Sequence, residues 1–593
     1  MPVLQEIEAH LTGPRQPFEL ERATVHGEDV TVFKNRPRSL RDVLERSRAF
    51  GAADYMVWED GRRYTYAEHL TLVAALAARL QTEFRIAPGD RVAILAANCP
   101  EWVLSFWAVT SLGAVAVGLN AWWTADEILY GAEDCAPSLL IADEKRLARL
   151  TPEQLSALPC PVLRIDPAFE AALRPTDQTA GQAANESGPT LPTAPITEDM
   201  PAVMLYTSGT TGRPKAAVHT HGNMGSLLMV SFFHGARLMA IAPPPSIAGP
   251  PTQSCILVTS PLFHVSGLHC AAVTALGGGA KTVWTMGRFN PETVLRLLKD
   301  ERVTGWGYTA TMLHRVVNHP LATPEHFRSL RMMGGGGSPI PEALQDKALR
   351  LVPHVKSTMG VGYGLTEGCA FSTLNPGPEL REHPTSAGRP VPTVELQIRD
   401  AAGQPLPEGQ DGDIHVRGPL VMLEYFRNPE ATAAVIGPGR WLRTGDVGHL
   451  VDGRLYLASR KRDLILRGGE NVYPLEIEQR LEAHPRVAEA AVVGLPDDEL
   501  GQTVCAFVRV TPAQGLAAVL PPRAGEPEAE PGALTQAEEA ALAEELRAFV
   551  GEALAYFKVP AELRFVREPL PRNATGKVLK HVLLGEPSAF IEE

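Results

Sequence analysis

AVMLYTSGTTGRPK, Ala202 to Lys215, joins a strand-like apolar run to a loop holding Thr207, Ser208, Thr210, Thr211, Gly209, Gly212 and Lys215. The two glycines permit backbone conformations that leave amides exposed, and amides, hydroxyls and a cation together suit a polyphosphate. A surface turn with a solvated lysine has the same composition, so the loop alone leaves both readings open. It is not a Walker loop, which needs Gly directly before Lys and a hydroxyl after it. Here Pro214 precedes Lys215 and Ala216 follows, which removes one amide and the usual metal-ligand hydroxyl.

Outward from this loop, short apolar runs alternate with helical patterns: RVAILAA, PEWVLSFWAVTSL, AVAVGL and SLLIAD before it, SCILVTS, KTVWTM and LRMMGG after it. Such alternation predicts an α/β protein with mixed, largely parallel sheets flanked by helices. One run tests that reading, because Trp102 to Ala125 carries no charge and is long enough to cross a bilayer. Asn98 and Pro100 suit a helix start, Gly113 suits its stop, and AVAVGL from Ala114 reads as a buried strand, so no integral membrane span is expected.

The chain has 593 residues, 45% apolar and 21% charged, too many for one ordinary core. Its 55 basic against 68 acidic side chains give a net charge of -13, which opposes non-specific attraction to nucleic acid or anionic membranes. The seven cysteines are scattered without CxxC pairs, so neither a disulfide framework nor a zinc site is indicated. The N-terminal MPVLQEIEAH lacks the basic and then apolar pattern of a signal peptide. A reducing cytoplasm is the expected location, and a homo-oligomer is compatible with the sequence.

Pro-rich stretches, one from about Asp166 to Asp199 and another reading IAPPPSIAGPPTQ, look like surface connections. The texture changes at SRKRDLILRGGENVYPLEIEQRL, where charges flank a short apolar run, two glycines break it, and an amphipathic helix follows from about Pro474. RVAEAAVVGLP and TVCAFVRV then read as strands of a smaller α+β domain. A low-complexity Ala/Pro/Glu/Gly segment separates Thr511 from Leu534, after which Thr535 and Glu538 have capping-box spacing.

Six segments follow the first loop in order: GGGGSPIP (Gly334–Pro341), GYGLTE (Gly362–Glu367), GDIHVRGP (Gly412–Pro419), WLRTGD (Trp441–Asp446), SRKRDLILRGGENVYP (Ser459–Pro474) and PRNATGK (Pro571–Lys577). Together with YTSGTTGRPK the series resembles the acyl-adenylate-forming superfamily of acyl-CoA synthetases, peptide-synthetase adenylation domains and beetle luciferases. The resemblance covers about Leu40 to Leu584. It implies an adenylating domain over 1–458, a hinge at 459–463 and a mobile C-terminal domain over 464–593. A carboxylate would attack the α-phosphorus of ATP, pyrophosphate would leave, and CoA would capture the acyl-adenylate as a thioester.

The resemblance also assigns roles. Thr207, Ser208, Gly209, Thr210, Thr211 and Lys215 would grip the β- and γ-phosphates, where dense negative charge needs shielding. Glu367 would bind Mg²⁺, with Thr366 near the α-phosphate. Adenine would lie between Tyr363, flanked by Gly362 and Gly364, and the backbone of Gly336, Gly337, Ser338 and Pro339. Asp446 and Arg460 would hold the ribose. Arg462 matches the hinge position, where relatives often carry Asp or Lys. Lys577 matches the catalytic lysine that bridges acyl carboxylate and α-phosphate.

PLFHVSG begins the acyl pocket of the relatives. Amino-acid-activating relatives place an Asp near here, whereas this chain has His264, Val265 and Ser266, and an unpaired ammonium in an apolar pocket is costly. With Cys270, Tyr308, Gly337, Gly362, Cys369 and Ala370 these residues predict a pocket for an aliphatic or aromatic acid. Gly468 and Gly469 would let pantetheine pass, and Phe557 would meet the CoA nucleotide. The alternatives are loading of a separate carrier protein, a luciferase-like oxidation, or a nucleotide-binding relative without chemistry.

Overall fold

The uncharged run that matches a bilayer in length folds into the interior instead. Pro100–Ser111 is a helix with all of its 12 residues buried. Pro100 occupies the first turn, where no amide is required, and Gly113 leaves the helix at φ 77°. Val115–Gly118 follows as a fully buried strand. The capping position is Cys99 rather than Asn98. Asn98 instead clamps a distant segment: its Nδ2 donates to the Ser260 carbonyl at 3.0 Å and its Oδ1 accepts from the Leu262 amide at 2.9 Å.

The computed structural model describes residues 2–174, 189–207, 213–241, 253–460, 463–467, 470–498, 500–510, 535–573 and 576–585. Both Pro-rich connections fall partly outside these residues, and the 511–534 segment wholly so. The described residues form two large sheets. One has seven strands in the spatial order 424–425, 215–220, 201–207, 115–118, 91–95, 139–143 and 162–165. It is parallel except where the 215–220 strand runs against both neighbours. The other has nine strands. Its parallel centre contains β1 (Cys255–Val258), β2 (Lys281–Trp284), β3 (Gly305–Tyr308), β4 (Met332–Gly336) and β5 (Met359–Tyr363).

The two sheets share one large core through the helix at 100–111 and the helix His221–Ile241. Trp58 and Trp284 stack inside it at 5.0 Å, both fully buried. His221–Ile241 is long and apolar enough to cross a membrane, but 56% of its apolar window is buried in this core. A four-stranded antiparallel sheet follows, ending with Leu442–Val451 and Arg454–Arg460.

The smaller C-terminal domain holds the expected elements: helix Pro474–Glu482, strands Val487–Asp497 and Gly501–Val510, and helix Gln536–Gly551. Thr535 and Glu538 make the capping box in both directions. The loops carrying chemistry leave the C-terminal ends of β4, β5 and the 201–207 strand, where open parallel sheets leave a crevice.

Candidate active site

Lys215 lies directly opposite Thr207 in the antiparallel ladder, so the ladder closes the phosphate-type loop at its base. Ser208, Gly209, Thr210 and Thr211 lie outside the described residues. Thr207 and Lys215 border a cleft of about 2900 Å³. Glu367, Asp446 and Lys577 border the same cleft, the last from the C-terminal domain.

Tyr425 joins these groups. Its hydroxyl donates to Glu367 Oε1 at 2.6 Å, and Lys215 Nζ sits 5.4 Å from its ring centroid. Burial, then the Glu367 carboxylate, push its phenol well above the ordinary range, against a hydrogen bond to Thr207. Sequence reasoning missed this residue, because a two-residue strand at Glu424–Tyr425 carries neither motif nor periodicity.

Thr366 and Glu367 start a single 3-10 turn fixed from behind. His219 Nε2 donates to the Thr366 carbonyl at 2.7 Å, and the Met422 amide donates to the Glu367 carbonyl at 2.8 Å. Burial lowers His219 to about 4, so its ring is neutral with the proton on Nε2. Directly after the turn, Cys369 and Ala370 stand at φ 52° and 101°. Such strain in non-glycine residues concentrates at functional sites. Gly364 is enforced by the same fold-back, since a Cβ there would lie 1.4 Å from the Ala370 carbonyl oxygen.

Tyr363 is buried, and its hydroxyl donates to Asp446 Oδ2 at 2.8 Å. Asp446 pairs in register with Arg460 on the adjacent strand. Gly336 pairs with Gly362 across β4 and β5, which sets the GGGGSP and GYGLTE loops side by side. Ser338 and Pro339 border the cleft with Gly337 between them and Gly336. Geometry therefore gathers Tyr363, Asp446 and the glycine-rich wall into one part of the cleft.

His264 Nδ1 accepts from the Ser266 amide at 3.3 Å and lies 2.9 Å from Ser266 Oγ. Desolvation lowers the ring to about 4, so it is neutral and its proton resides on Nε2. His264, Ser266, Cys270 and Ala370 border the cleft. Cys369, by contrast, is fully buried behind the wall, with Sγ 3.7 Å from His269 Nδ1. Tyr308 borders the cleft, yet its ring packs 5.2 Å from Trp306 in the core on the other side of β3.

The Lys577 loop is tied at both ends. Asn573 Oδ1 accepts from the Lys577 amide and the Asn573 amide donates to the Lys577 carbonyl, each at 2.9 Å. The Gly576 carbonyl accepts from Thr311 Oγ1 at 3.0 Å across the domain boundary. Phe557 lies elsewhere: it packs at the edge of the C-terminal core, and its carbonyl accepts from Arg467 Nη1 at 3.3 Å. Arg467 directly precedes Gly468 and Gly469, which with Arg462 fall outside the described residues.

Models of known families match this chain twice, the AMP-binding enzyme over residues 43–426 and the AMP-binding enzyme C-terminal domain over 476–577. The chain belongs to the AMP-binding enzyme family. A 2-succinylbenzoate–CoA ligase from Bacillus velezensis is 33% identical over 526 residues, 88% of this chain and 93% of the relative. A long-chain-fatty-acid–CoA ligase from Mycobacterium tuberculosis is 31% identical over 538 residues, 89% and 94% of the two chains. The solved o-succinylbenzoate CoA synthetase from Bacillus subtilis, in complex with its acyl-adenylate intermediate, matches with a TM-score of 0.70 and 29% identity over 92% of this chain and 98% of that one.

This AMP-binding enzyme is an ATP-dependent carboxylic acid:CoA ligase that forms an acyl-adenylate and then an acyl-CoA thioester. The donor set decides how magnesium fits. Among the described residues no group of three or more His, Cys, Asp or Glu side chains could hold a metal. Magnesium keeps waters and substrate phosphates and takes one or two carboxylates, so the single carboxylate of Glu367, on the cleft that Thr207 and Lys215 border, fits it.

Proposed function

We propose that Lys577 acts in the adenylating half-reaction alone, and that the acid is one with an uncharged aliphatic or aromatic tail delivered to free CoA. The observation carrying this reading is the docked Lys577 loop, held to Thr311 on the far side of the same cleft that Glu367 and Asp446 border. Phe557 packs against the C-terminal core rather than along that cleft, which supports a pose for the first half-reaction rather than the second.

In that half-reaction a carboxylate oxygen of the acid attacks the α-phosphorus of ATP. The α-phosphorus to bridging-oxygen bond breaks, and its electrons leave with pyrophosphate. Thr207 and Lys215 hold the departing phosphates, Lys577 offsets charge where carboxylate meets α-phosphate, and Asp446 with Arg460 fixes the ribose. Bound by Glu367, Mg²⁺ supplies charge neutralisation at the phosphate oxygens. In the second half-reaction the CoA sulfur, its proton lost to solvent, attacks the acyl carbon, and AMP leaves with the electrons of the broken acyl–oxygen bond. Arg462 within 459–463 is the hinge that would exchange the Lys577 loop for the Gly468–Gly469 loop.

Neutral His264 suits a wall that must accept a carboxylate without forming a permanent ion pair with it. All seven cysteines are unpaired, which supports a reducing compartment such as the cytoplasm. Lys577→Ala tests the reading: acid-dependent pyrophosphate release falls at least about 10²-fold, while added acyl-adenylate is still converted to thioester by CoA. Equal loss of both steps removes the role given to Lys577. Thioester formation on a carrier protein but not on CoA overturns the choice of acceptor.

A further inference from the structure

The face of β3, β4 and β5 that looks into the cleft has almost no side chains. Residues two apart on a strand share a face, and the parallel register pairs Gly307 with Gly334, Gly334 with Gly360, and Gly336 with Gly362. With Gly305, six of the seven positions on this face are glycine, and Met332 is the seventh. The opposite face is conventional: Trp306, Tyr308, Met333, Met359 and Val361 pack into a core with the surrounding helices.

Glycine is a poor strand former, so a whole glycine face needs a reason. Many glycines in strands admit a close neighbour, but a Cβ built at Gly307 or at Gly334 meets nothing within 4 Å. Gly307 is exposed although its strand lies in the middle of a nine-stranded sheet. What it is exposed to is the cleft, which borders every one of these glycines. At Gly307 and Gly334 the missing side chains thus keep a channel open, whereas Gly336, Gly360 and Gly362 each admit a neighbour at 3.0–3.2 Å from a built Cβ.

The channel runs from the Gly336 level, beside the nucleotide region, to the Met332 level at the other end of β4. Four strand residues at roughly 3.3 Å each make about 13 Å. With C–C bonds of roughly 1.5 Å laid in a zigzag, that length takes about ten carbons. The far end reaches the surface, because Met332 is 36% exposed and Ser254 and Gly278 are exposed. Near that end Ile256 leans in, its Cδ1 2.7 Å from where a Cβ on Gly305 would sit.

The other wall comes from helix His221–Ile241, the turn of π-helix at Leu268–Val273 and residues 274–278 that continue it. Phe232, Gly235, Cys270, Ala271, Thr274 and Gly278 line it. Gly235 likewise has nothing within 4 Å of a built Cβ. None of these residues is Asp, Glu, Lys or Arg, so a charged tail would find no counter-charge there.

We propose that the acid is a linear acyl chain of about ten carbons or more with an uncharged tail, threaded along the glycine face of β3 and β4 with its carboxylate at the nucleotide end. The proposal rests on the ligase reading and adds the substrate class to it. An aryl acid fills only the upper part of this channel, and a dicarboxylic acid places its second charge in it.

Pyrophosphate release is measured for butanoic, octanoic, dodecanoic, hexadecanoic, benzoic and octanedioic acids with the full chain. The expected kcat/KM is highest for dodecanoic or hexadecanoic acid, with octanedioic acid far below octanoic acid. Gly334→Val adds a branched side chain suited to a strand, into empty space. It lowers the dodecanoic-to-butanoic ratio of kcat/KM by about tenfold or more, because the four-carbon chain ends before the Gly334 level and the longer chain must pass it. Gly307→Val, on the neighbouring strand, produces the same shift and serves if the first variant folds poorly. A ratio unchanged in both variants, or a preference for benzoic or butanoic acid, overturns the chain-length proposal while leaving the ligase intact. No acid-dependent release from any acid overturns the ligase reading itself.

Discussion

Arg572 connects the Lys577 loop to both domains, and its removal has a calculable effect. Its Nη1 donates to Thr311 Oγ1 at 2.7 Å and to the Gly576 carbonyl at 2.8 Å, while Nη2 donates to Glu489 at 2.6 Å. The first bond crosses the domain boundary and the second shapes the turn that presents Lys577. Gly576 itself stands at φ 83°, with Thr309 Oγ1 3.2 Å from where a Cβ would be, so the close approach to Thr309 requires glycine there. Hydrogen bonds to a charged group are each worth about 1.5–3 kcal/mol. Losing the two made by Nη1 costs the docked loop about 3 kcal/mol, or roughly 10²-fold in adenylation.

Arg572→Ala therefore lowers acid-dependent pyrophosphate release about 10²-fold without CoA, and lowers thioester formation from supplied acyl-adenylate by much less. Thr311→Val removes part of the same interaction, so the double variant is less impaired than the two single effects multiplied together. Stopped-flow pyrophosphate detection measures the first step, and chromatography of acyl-CoA the second. Equal impairment of both steps, or independent effects of the two substitutions, would refute the latch.

Tyr425→Phe removes the hydroxyl that donates to Glu367, and kcat/KM for ATP falls about 10- to 100-fold with a higher Mg²⁺ requirement, as read from initial rates across a Mg²⁺ titration. Gly364→Ala drives a methyl into the Ala370 carbonyl and destabilises the fold by more than about 3 kcal/mol, visible as loss of soluble protein or a large fall in Tm. Stability also depends on pH in two windows. Burial holds His219, His221 and His264 at about 4 against an ordinary 6.5, so the unfolded chain takes up their protons first and stability is lost as pH falls from 6.5 toward 4. Burial and then Glu478 raise Glu482 from 4.5 to about 8, so its contribution is full below 4.5 and is lost as pH rises from 4.5 toward 8. Calorimetric Tm values carry both slopes, and Glu482→Gln removes the fall between 6.5 and 8, where the three histidines contribute none.

The parts of the site carried by consecutive residues were legible in the sequence. Pro100 and Gly113 bounded a helix and so separated a core element from a membrane span, and the ordered loops from Tyr206 to Lys577 located the cleft. Pairings across long separations left no such trace. Tyr425 and Glu367 are 58 residues apart and Arg572 and Thr311 are 261 apart, so each pair meets only after its sheets have assembled. Tyr308 illustrates a different limit: its phenol looked suited to an acyl pocket, but strand alternation turns Gly307 toward the cleft and the Tyr308 ring away. LRMMGG reads as a strand despite its glycines, and Met332–Gly336 is one, because pairing with β3 and β5 overrides the weak strand preference of glycine.

The product set formed from ATP and dodecanoic acid, first without CoA and then with it, tests the central claim most directly. Mass spectrometry should find dodecanoyl-adenylate and pyrophosphate without CoA, and AMP with dodecanoyl-CoA once CoA is added. Formation of ADP and phosphate, or no acid-dependent consumption of ATP, would contradict it.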